Sequence, residues 1–212
     1  MCAWFLILNL TKLSTEVDVD EIILASGSPR RSMLLRDLGL SFRIELPDVT
    51  ELEDHDESPE LMVLHNAILK ADCVAKKFPN ALIIAADTTV ALGNKVFNKP
   101  KSMAEAFAML KELSGKTHTV YTGVCLVNES TGLRIKHCEK SQVTFLDLRD
   151  RLIQQYHSLL DPLDRAGSYS IEDHRDMIIK SHVGSLSNII GLPIEFLSET
   201  LHNLGYLKRA DK

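Results

Sequence analysis

Residues 21–25 (EIILA) form a short apolar run that gives way to SGSP, a pattern that predicts a buried strand entering a loop. A helix follows, with Ser28 as cap and Pro29 in its first turn. Met33, Leu34, Leu35 and Leu38 supply the apolar face, and Gly39 ends it. Ser58-Pro59 opens a second helix that reaches about Lys77, with Leu61, Leu64, Ile68, Ala71 and Ala75 at helical spacing. ALIIAAD (81–87) predicts a fully apolar strand ending in a carboxylate, and VAL-GN-KVF a hairpin turning on Gly93-Asn94. Ser102 and Glu105 have capping-box spacing for a helix that Gly115 terminates. Alternating segments 117–128 and 133–146, joined across Asn128–Gly132, predict a long antiparallel hairpin. A helix near 149–160, a strand near 176–182 and a helix from about Pro193 to Asn203 complete the pattern. No stretch has linker composition and no repeat is evident. The expectation is one α/β unit with a mixed sheet, in two lobes around a cleft.

Composition bounds this picture. The chain has 212 residues, 45% of them hydrophobic and 25% charged, which is ordinary globular usage. Disordered, collagenous and low-complexity classes are excluded. The net charge is −5, from 24 basic and 29 acidic side chains, and argues against a partner that is a long nucleic-acid polymer. The acid excess is local. Residues 45–60 hold eight carboxylates (Glu45, Asp48, Glu51, Glu53, Asp54, Asp56, Glu57 and Glu60) and no Lys or Arg. Setting these eight aside leaves 21 acidic against 24 basic side chains, a mildly basic body. Such a run is ordinarily a solvated loop. Cys2, Cys73, Cys125 and Cys138 lie far apart with no metal-ligand spacing, which suits a reducing compartment. MCAWFLILNL is too short to span a bilayer and has no Lys or Arg before its apolar run, so residues 1–19 read as an extension of unknown role.

Several residues carry candidate chemistry. Ser26-Gly-Ser-Pro-Arg-Arg31 lies between a strand and a helix N-terminus, where free N–H groups and the helix dipole favour an anion. Two hydroxyls and two guanidiniums there suit phosphate, although a capped surface helix with exposed arginines has the same sequence. Ser114-Gly-Lys-Thr117 mimics the end of a phosphate-binding loop, but Leu110 stands where that loop needs its first glycine. Asp87 closes an otherwise uncharged strand and is followed by Thr88 and Thr89. That place serves metal or base chemistry as well as it serves an Asx turn. Glu51, Lys70 and Lys99 are anonymous by themselves.

As an ordered set these residues are not anonymous. S-G-S-P-R-R, Glu51, Lys70, the A-D-T of Asp87, Lys99-Pro100, S-G-K-T-H-T-V-Y-T-G-V (114–124), D-R-A-G-S-Y (164–169) and G-L-P (191–193) resemble the Maf family of nucleoside triphosphate pyrophosphatases over about residues 21–205. The resemblance implies a single Maf/ITPase-like α/β domain over 20–206, a mixed twisted sheet with flanking helices, and a tail at 207–212. It implies hydrolysis of a nucleoside triphosphate to the monophosphate and pyrophosphate with a divalent metal cation, Mg²⁺ or Mn²⁺. Ser28, Arg30 and Arg31 would line the phosphate site, and Lys70 and Lys99 would add cations around the triphosphate. Glu51 and Asp87 would serve the metal and the attacking water, with Asp87 as proton acceptor. A homodimer in the cytoplasm, a small nucleotide substrate and no membrane partner complete the expectation.

Three positions bear on the base. The dTTP/UTP-directed members read Arg, Thr and Gln there, and the 7-methyl-GTP-directed members Trp, Gln and Glu. This chain has Arg30, Thr88 and Glu172, two matches to the pyrimidine class and one departure. Ser170 stands where a glycine is usual, and Asp173-His174 replace the next one. A Gln amide donates and accepts, whereas an ionised Glu only accepts, so Glu172 suits a base edge that presents N–H donors. Pyrimidine triphosphates lead. The same chemistry on 7-methyl-GTP or another purine nucleotide is the alternative, and a nucleotide-binding regulator of cell division or a phosphomonoesterase are the competing classes.

Overall fold

A computed structural model describes residues 21–53 and 58–207. The 1–19 extension, four residues of the acidic stretch (54–57) and nearly all of the tail lie outside the described residues. In chain order the elements are β1 (Ile22–Leu24), α1 (Pro29–Asp37), β2 (Arg43–Ile44), α2 (Pro59–Ala75), β3 (Leu82–Leu92), β4 (Lys95–Phe97) and α3 (Met103–Leu113). Then follow β5 (Thr117–Asn128), β6 (Leu133–Phe145), α4 (Asp150–His157), β7 (Ile179–Val183), α5 (Leu186–Ile190) and α6 (Ile194–Asn203). The sheet runs β2-β1-β3-β5-β6-β7, with β4 added beside the far half of β3. β2, β1 and β3 are parallel, and every other pairing is antiparallel. This is the mixed α/β sheet that the hydrophobic pattern predicts.

Local signals form as read. The Ser28 hydroxyl accepts from the Arg31 N–H and the Ser102 hydroxyl from that of Glu105. The Glu105 carboxylate returns to the Lys101 N–H at 2.7 Å, one residue earlier than a capping box requires. Gly93 and Gly132 sit at φ +62° and +71°, the left-handed backbone that their tight turns require. The short elements β2 and α5 carry no sequence signal long enough to be predicted.

Two differences from the pattern matter for function. β3 does not stop at Asp87 but continues to Leu92. Its partner changes along the way: β1 pairs with residues 82–84, β4 joins only at Val90, and the last β1 bond is Ala25 N–H to the Ile84 carbonyl at 2.8 Å. Between these points β3 has a strand on one side alone, and a crevice opens beside Asp87 and Thr88. The second difference is the buried face of α2. Leu61 is exposed, and the face against the sheet is Met62, Val63, Asn66, Ala67, Lys70, Ala71, Val74 and Ala75. Small residues let the helix lie close. A Cβ at Gly123 of β5 would come within 2.5 Å of the Val63 backbone. The rotated face carries two polar side chains under the crevice.

The apolar residues form a pad beneath α2 (Ile23, Ala67, Ala71, Val74, Ile83, Cys125) and a second under α1 and α6 (Leu24, Leu35, Ile84, Leu197). A third lies among α3, α4 and the far halves of β3 and β5 (Leu110, Val120, Phe145, Tyr156, Tyr169). Each fully buried Val, Leu or Ile contributes about 1.5–3 kcal/mol. The crevice runs where the third cluster meets the other two.

Candidate active site

A cavity of about 680 Å³ occupies the crevice. Its lining includes every residue the sequence singled out: Ser28, Arg30, Arg31, Glu51, Lys70, Asp87, Thr88, Lys99 and Glu172. Sequence separations of up to 144 residues between them close to one cavity.

At its floor is a charge cluster. The Lys70 ammonium, nearly buried, lies 2.8 Å from Asp87 Oδ1 and 2.5 Å from Glu51 Oε2. It also reaches the Ala86 carbonyl at 3.5 Å. Asp87 Oδ2 accepts from Asn66 Nδ2 at 2.9 Å. Burial pushes the Asp87 carboxyl up, but the Lys70 charge and hydrogen bond, the Arg31 charge and the Asn66 amide together outweigh it. The carboxyl is held below its usual range and is ionised at neutral pH.

Alternation along β3 sends Thr88 to the opposite face from Asp87. There Arg31 spans three elements: Nε donates to the Gly191 carbonyl at 2.9 Å, and its terminal nitrogens donate to Ser26 Oγ and Thr88 Oγ1, both at 3.0 Å. Thr88 continues the chain to Thr122 Oγ1 at 3.0 Å, which donates to the Asn188 carbonyl at 3.1 Å. Burial lowers the Arg31 pKa, and the Asp87 and Glu51 charges offset only part of this. Thus Arg31 ties the 26–31 loop to β3 and to the G-L-P turn, and its guanidinium is largely committed to the protein.

Arg30 and Lys99 stand at the mouth. Asp164 holds both, 2.5 Å from Lys99 Nζ and 3.6 Å from Arg30, whose NH2 also donates to the Asp164 carbonyl at 2.9 Å. Burial raises the Asp164 pKa, and Lys99, Arg30 and Arg165 more than reverse this. At the other end, Ser170 Oγ donates to Asp173 and accepts from the N–H groups of Glu172 and Asp173, and Arg165 pairs with Asp173 at 2.9 Å. This bracket fixes the turn that presents Glu172. Among the described residues the Glu172 carboxylate has no partner. Behind the cavity the Tyr169 hydroxyl meets buried His118 Nε2 at 2.9 Å, and burial lowers the His118 pKa to about 4, so its ring is neutral.

The 26–31 loop, Glu51, Lys70, Asp87 and Thr88 are therefore one site, with Lys99 and Glu172 at its edges. Sequence reasoning gave no role to Asn66 or Asp164. Asn66 lies four residues before Lys70, one helical turn away, so the correct α2 face would have revealed it. Asp164 was inside the D-R-A-G-S-Y motif but reads as an ordinary surface acid.

The donor set also tests the expected cation. Among the described residues no three His, Cys, Asp or Glu side chains converge as a metal group. Glu51 and Asp87 do converge on one point, now held by the Lys70 ammonium. Mg²⁺ is commonly bound by one or two carboxylates, with substrate phosphates and water completing its shell. The pair fits a divalent cation that arrives with a polyphosphate, not one held by the protein alone.

Solved structures resemble this fold: the Ham1 protein of Staphylococcus aureus (TM-score 0.53, 15% identity, 87% of this chain and 100% of that one) and a HAM1 protein from Coxiella burnetii (TM-score 0.50, 18% identity, 87% and 99%). These place the chain in that class of α/β fold. The family model described as Maf-like protein matches residues 21–204, and the chain belongs to the Maf family of nucleoside triphosphate pyrophosphatases. Its relatives include proteins named dTTP/UTP pyrophosphatase from Akkermansia muciniphila (39% identical, 89% of this chain and 98% of the relative) and Thermosipho melanesiensis (41%, 85% and 96%). Among the described residues no helix is long and apolar enough to cross a membrane.

Proposed function

We propose that this chain hydrolyses a nucleoside triphosphate, with dTTP and UTP as its leading substrates, to the monophosphate and pyrophosphate, and so clears standard or modified nucleotides from the pool. The observation that carries the reading is the pairing of Lys70 with Glu51 and Asp87 at the floor of a cavity that the Ser26–Arg31 segment at the N-terminus of α1 also lines. Charge neutralisation and an oriented water are what displacement at phosphorus requires. Glu51 and Asp87 would hold a divalent cation, which supplies Lewis acidity and a more acidic bound water. Ser28 and the first turn of α1 receive phosphate oxygens, and Arg30 and Lys99 exchange Asp164 for the triphosphate. Arg31 keeps the 26–31 loop and Thr88 in register. Asp87, already ionised, takes the proton of the attacking water on a carboxylate oxygen. The working form is a homodimer, which light scattering of the purified chain checks, and its setting is the cytoplasm, which fractionation of cells checks.

Arg30, Thr88 and the names of the relatives favour a pyrimidine. Glu172 supports a second reading, since a lone acceptor also suits the N–H edge of guanine.

The test is phosphate detection with and without inorganic pyrophosphatase, over dTTP, UTP, CTP, GTP and 7-methyl-GTP, in Mg²⁺, Mn²⁺ or EDTA. The expected signal requires the coupling enzyme and is largest for dTTP and UTP, and in EDTA, where the monophosphate is read directly by chromatography without the coupling enzyme, turnover is lost. Phosphate without the coupling enzyme would mean a phosphatase that removes the terminal phosphate, and no turnover of any nucleotide would mean a binding protein. Either result would overturn the proposal.

A further inference from the structure

Asn66 is buried at 1% exposure on α2, and its amide spends three of its four hydrogen-bonding positions on two separate pieces of the site. Oδ1 accepts from the Leu52 N–H at 2.8 Å, and Nδ2 donates to the Leu52 carbonyl at 2.9 Å. The second Nδ2 hydrogen goes to Asp87 Oδ2 at 2.9 Å. One amide thus clamps the backbone of the residue after Glu51 and orients the carboxylate of Asp87. Lys70, one turn along, grips the side chains of Glu51 and Asp87. An ammonium is a point charge without angular preference, whereas the planar amide fixes direction. Flipping the amide would set Nδ2 against the Leu52 N–H and Oδ1 against a carboxylate, so only one orientation is satisfied.

The rest of the loop is held less directly. Asn98 donates to the Glu53 carbonyl at 2.6 Å, and the Glu53 side chain meets exposed Lys101. Asn98 in turn accepts from the Thr89 hydroxyl of β3 at 2.8 Å, so it ties Glu53 to the strand beyond Asp87 but touches neither Asp87 nor Leu52.

We propose that Asn66 is a positioning residue for the reaction: it sets the distance and angle between the Glu51 loop and Asp87, so that the two carboxylates converge on one point. It acts through Asp87 and the Glu51 loop, by orienting the one and anchoring the other. The kinetic arm of its test rests on the pyrophosphatase reading, and the exchange arm does not.

The variant Asn66→Leu keeps volume and helix propensity but removes the clamp. Its kcat for pyrophosphate release falls about 10- to 100-fold, as for a misplaced reacting group, while KM stays within about threefold because the phosphate-binding cations are untouched. In the nucleotide-free, metal-free protein, the Leu52 amide exchanges with solvent at least about tenfold faster than in the parent. A kcat within twofold of the parent overturns the inference. So does a KM rise as large as the kcat loss, the mark of a disordered cleft, or a Leu52 amide as protected as before. Should the leucine variant fail to fold, Asn66→Ser, too short to reach both partners, is held to the same outcomes. If the parent turns over no nucleotide, the functional reading fails while the exchange result still decides whether the clamp exists.

Discussion

Replacing Lys70 with Met keeps the length of the side chain and removes one charge from the floor of the cavity. Lys70 is 7% exposed and Asp87 13%, so their pair is buried, whereas Glu51 at 44% faces water. An exposed pair is worth about 0–1 kcal/mol. Breaking a buried one costs about 3–5 kcal/mol, because the remaining charge is left uncompensated. Asp87 keeps the Asn66 amide and the Arg31 field, so the lower end applies, about 3 kcal/mol. In a domain of this size each kcal/mol moves Tm about 2–4 °C, which makes the expected loss about 6–12 °C. The loss has a pH signature. In the parent, Asp87 is held below its ordinary pKa, so its stabilisation is complete above the unfolded value of about 4 and disappears as pH falls through the lower folded value. Without Lys70 the strongest opposition to burial is gone and the Asp87 pKa rises. The charged carboxylate is then a penalty at neutral pH that protonation relieves. Thermal unfolding from pH 7.5 down to about 4.5, in EDTA and without nucleotide, should show the widest gap between parent and variant at neutral pH and a narrowing gap toward acid. A gap below about 2 °C at pH 7, well under the buried-pair cost, or one of constant size, would refute the reasoning.

Glu172→Gln gives the third specificity position an amide that can donate, so the ratio of kcat/KM for dTTP and UTP over GTP should rise. An unchanged ratio across the three nucleotides would remove Glu172 from base recognition. Gly123→Ala drives a methyl group against the Val63 backbone and lifts α2 from β5. The expected cost is about 1–3 kcal/mol in urea unfolding, with kcat reduced through displaced Asn66 and Lys70. A variant of parental stability and rate would show that the helix does not need this close approach.

The helix caps, the β3–β4 turn, the long β5–β6 hairpin and the mixed sheet were legible because each rests on local chemistry. Ser28, Ser102, Gly93 and Gly132 act within a few residues of themselves. The motif residues were legible as an ordered set, and the fold brings them together. What escaped depended on long-range packing. Helical spacing placed Ala71 and Ala75 correctly on the buried face of α2 but favoured Leu61 and Leu64 beside them, whereas the sheet took Met62, Val63 and Ala67, and that rotation buried Asn66 and Lys70. Asp87 looked like the end of a strand because the sequence cannot show that β3 changes partners around it. The hydrogen bonds of Arg31 to Ser26, Thr88 and Gly191, the last across 160 residues, are encoded by no spacing rule.

The central claim is that the carboxylate of Asp87, held by Lys70 and Asn66, serves nucleotide hydrolysis. Its most direct test is pyrophosphate release from dTTP by the parent and by Asp87→Asn, side by side, with circular dichroism to show that both are folded. The account predicts a folded variant whose kcat is lower by about 10²–10⁴-fold, the usual worth of a positioned proton acceptor. Near-parental turnover by the folded variant would contradict it.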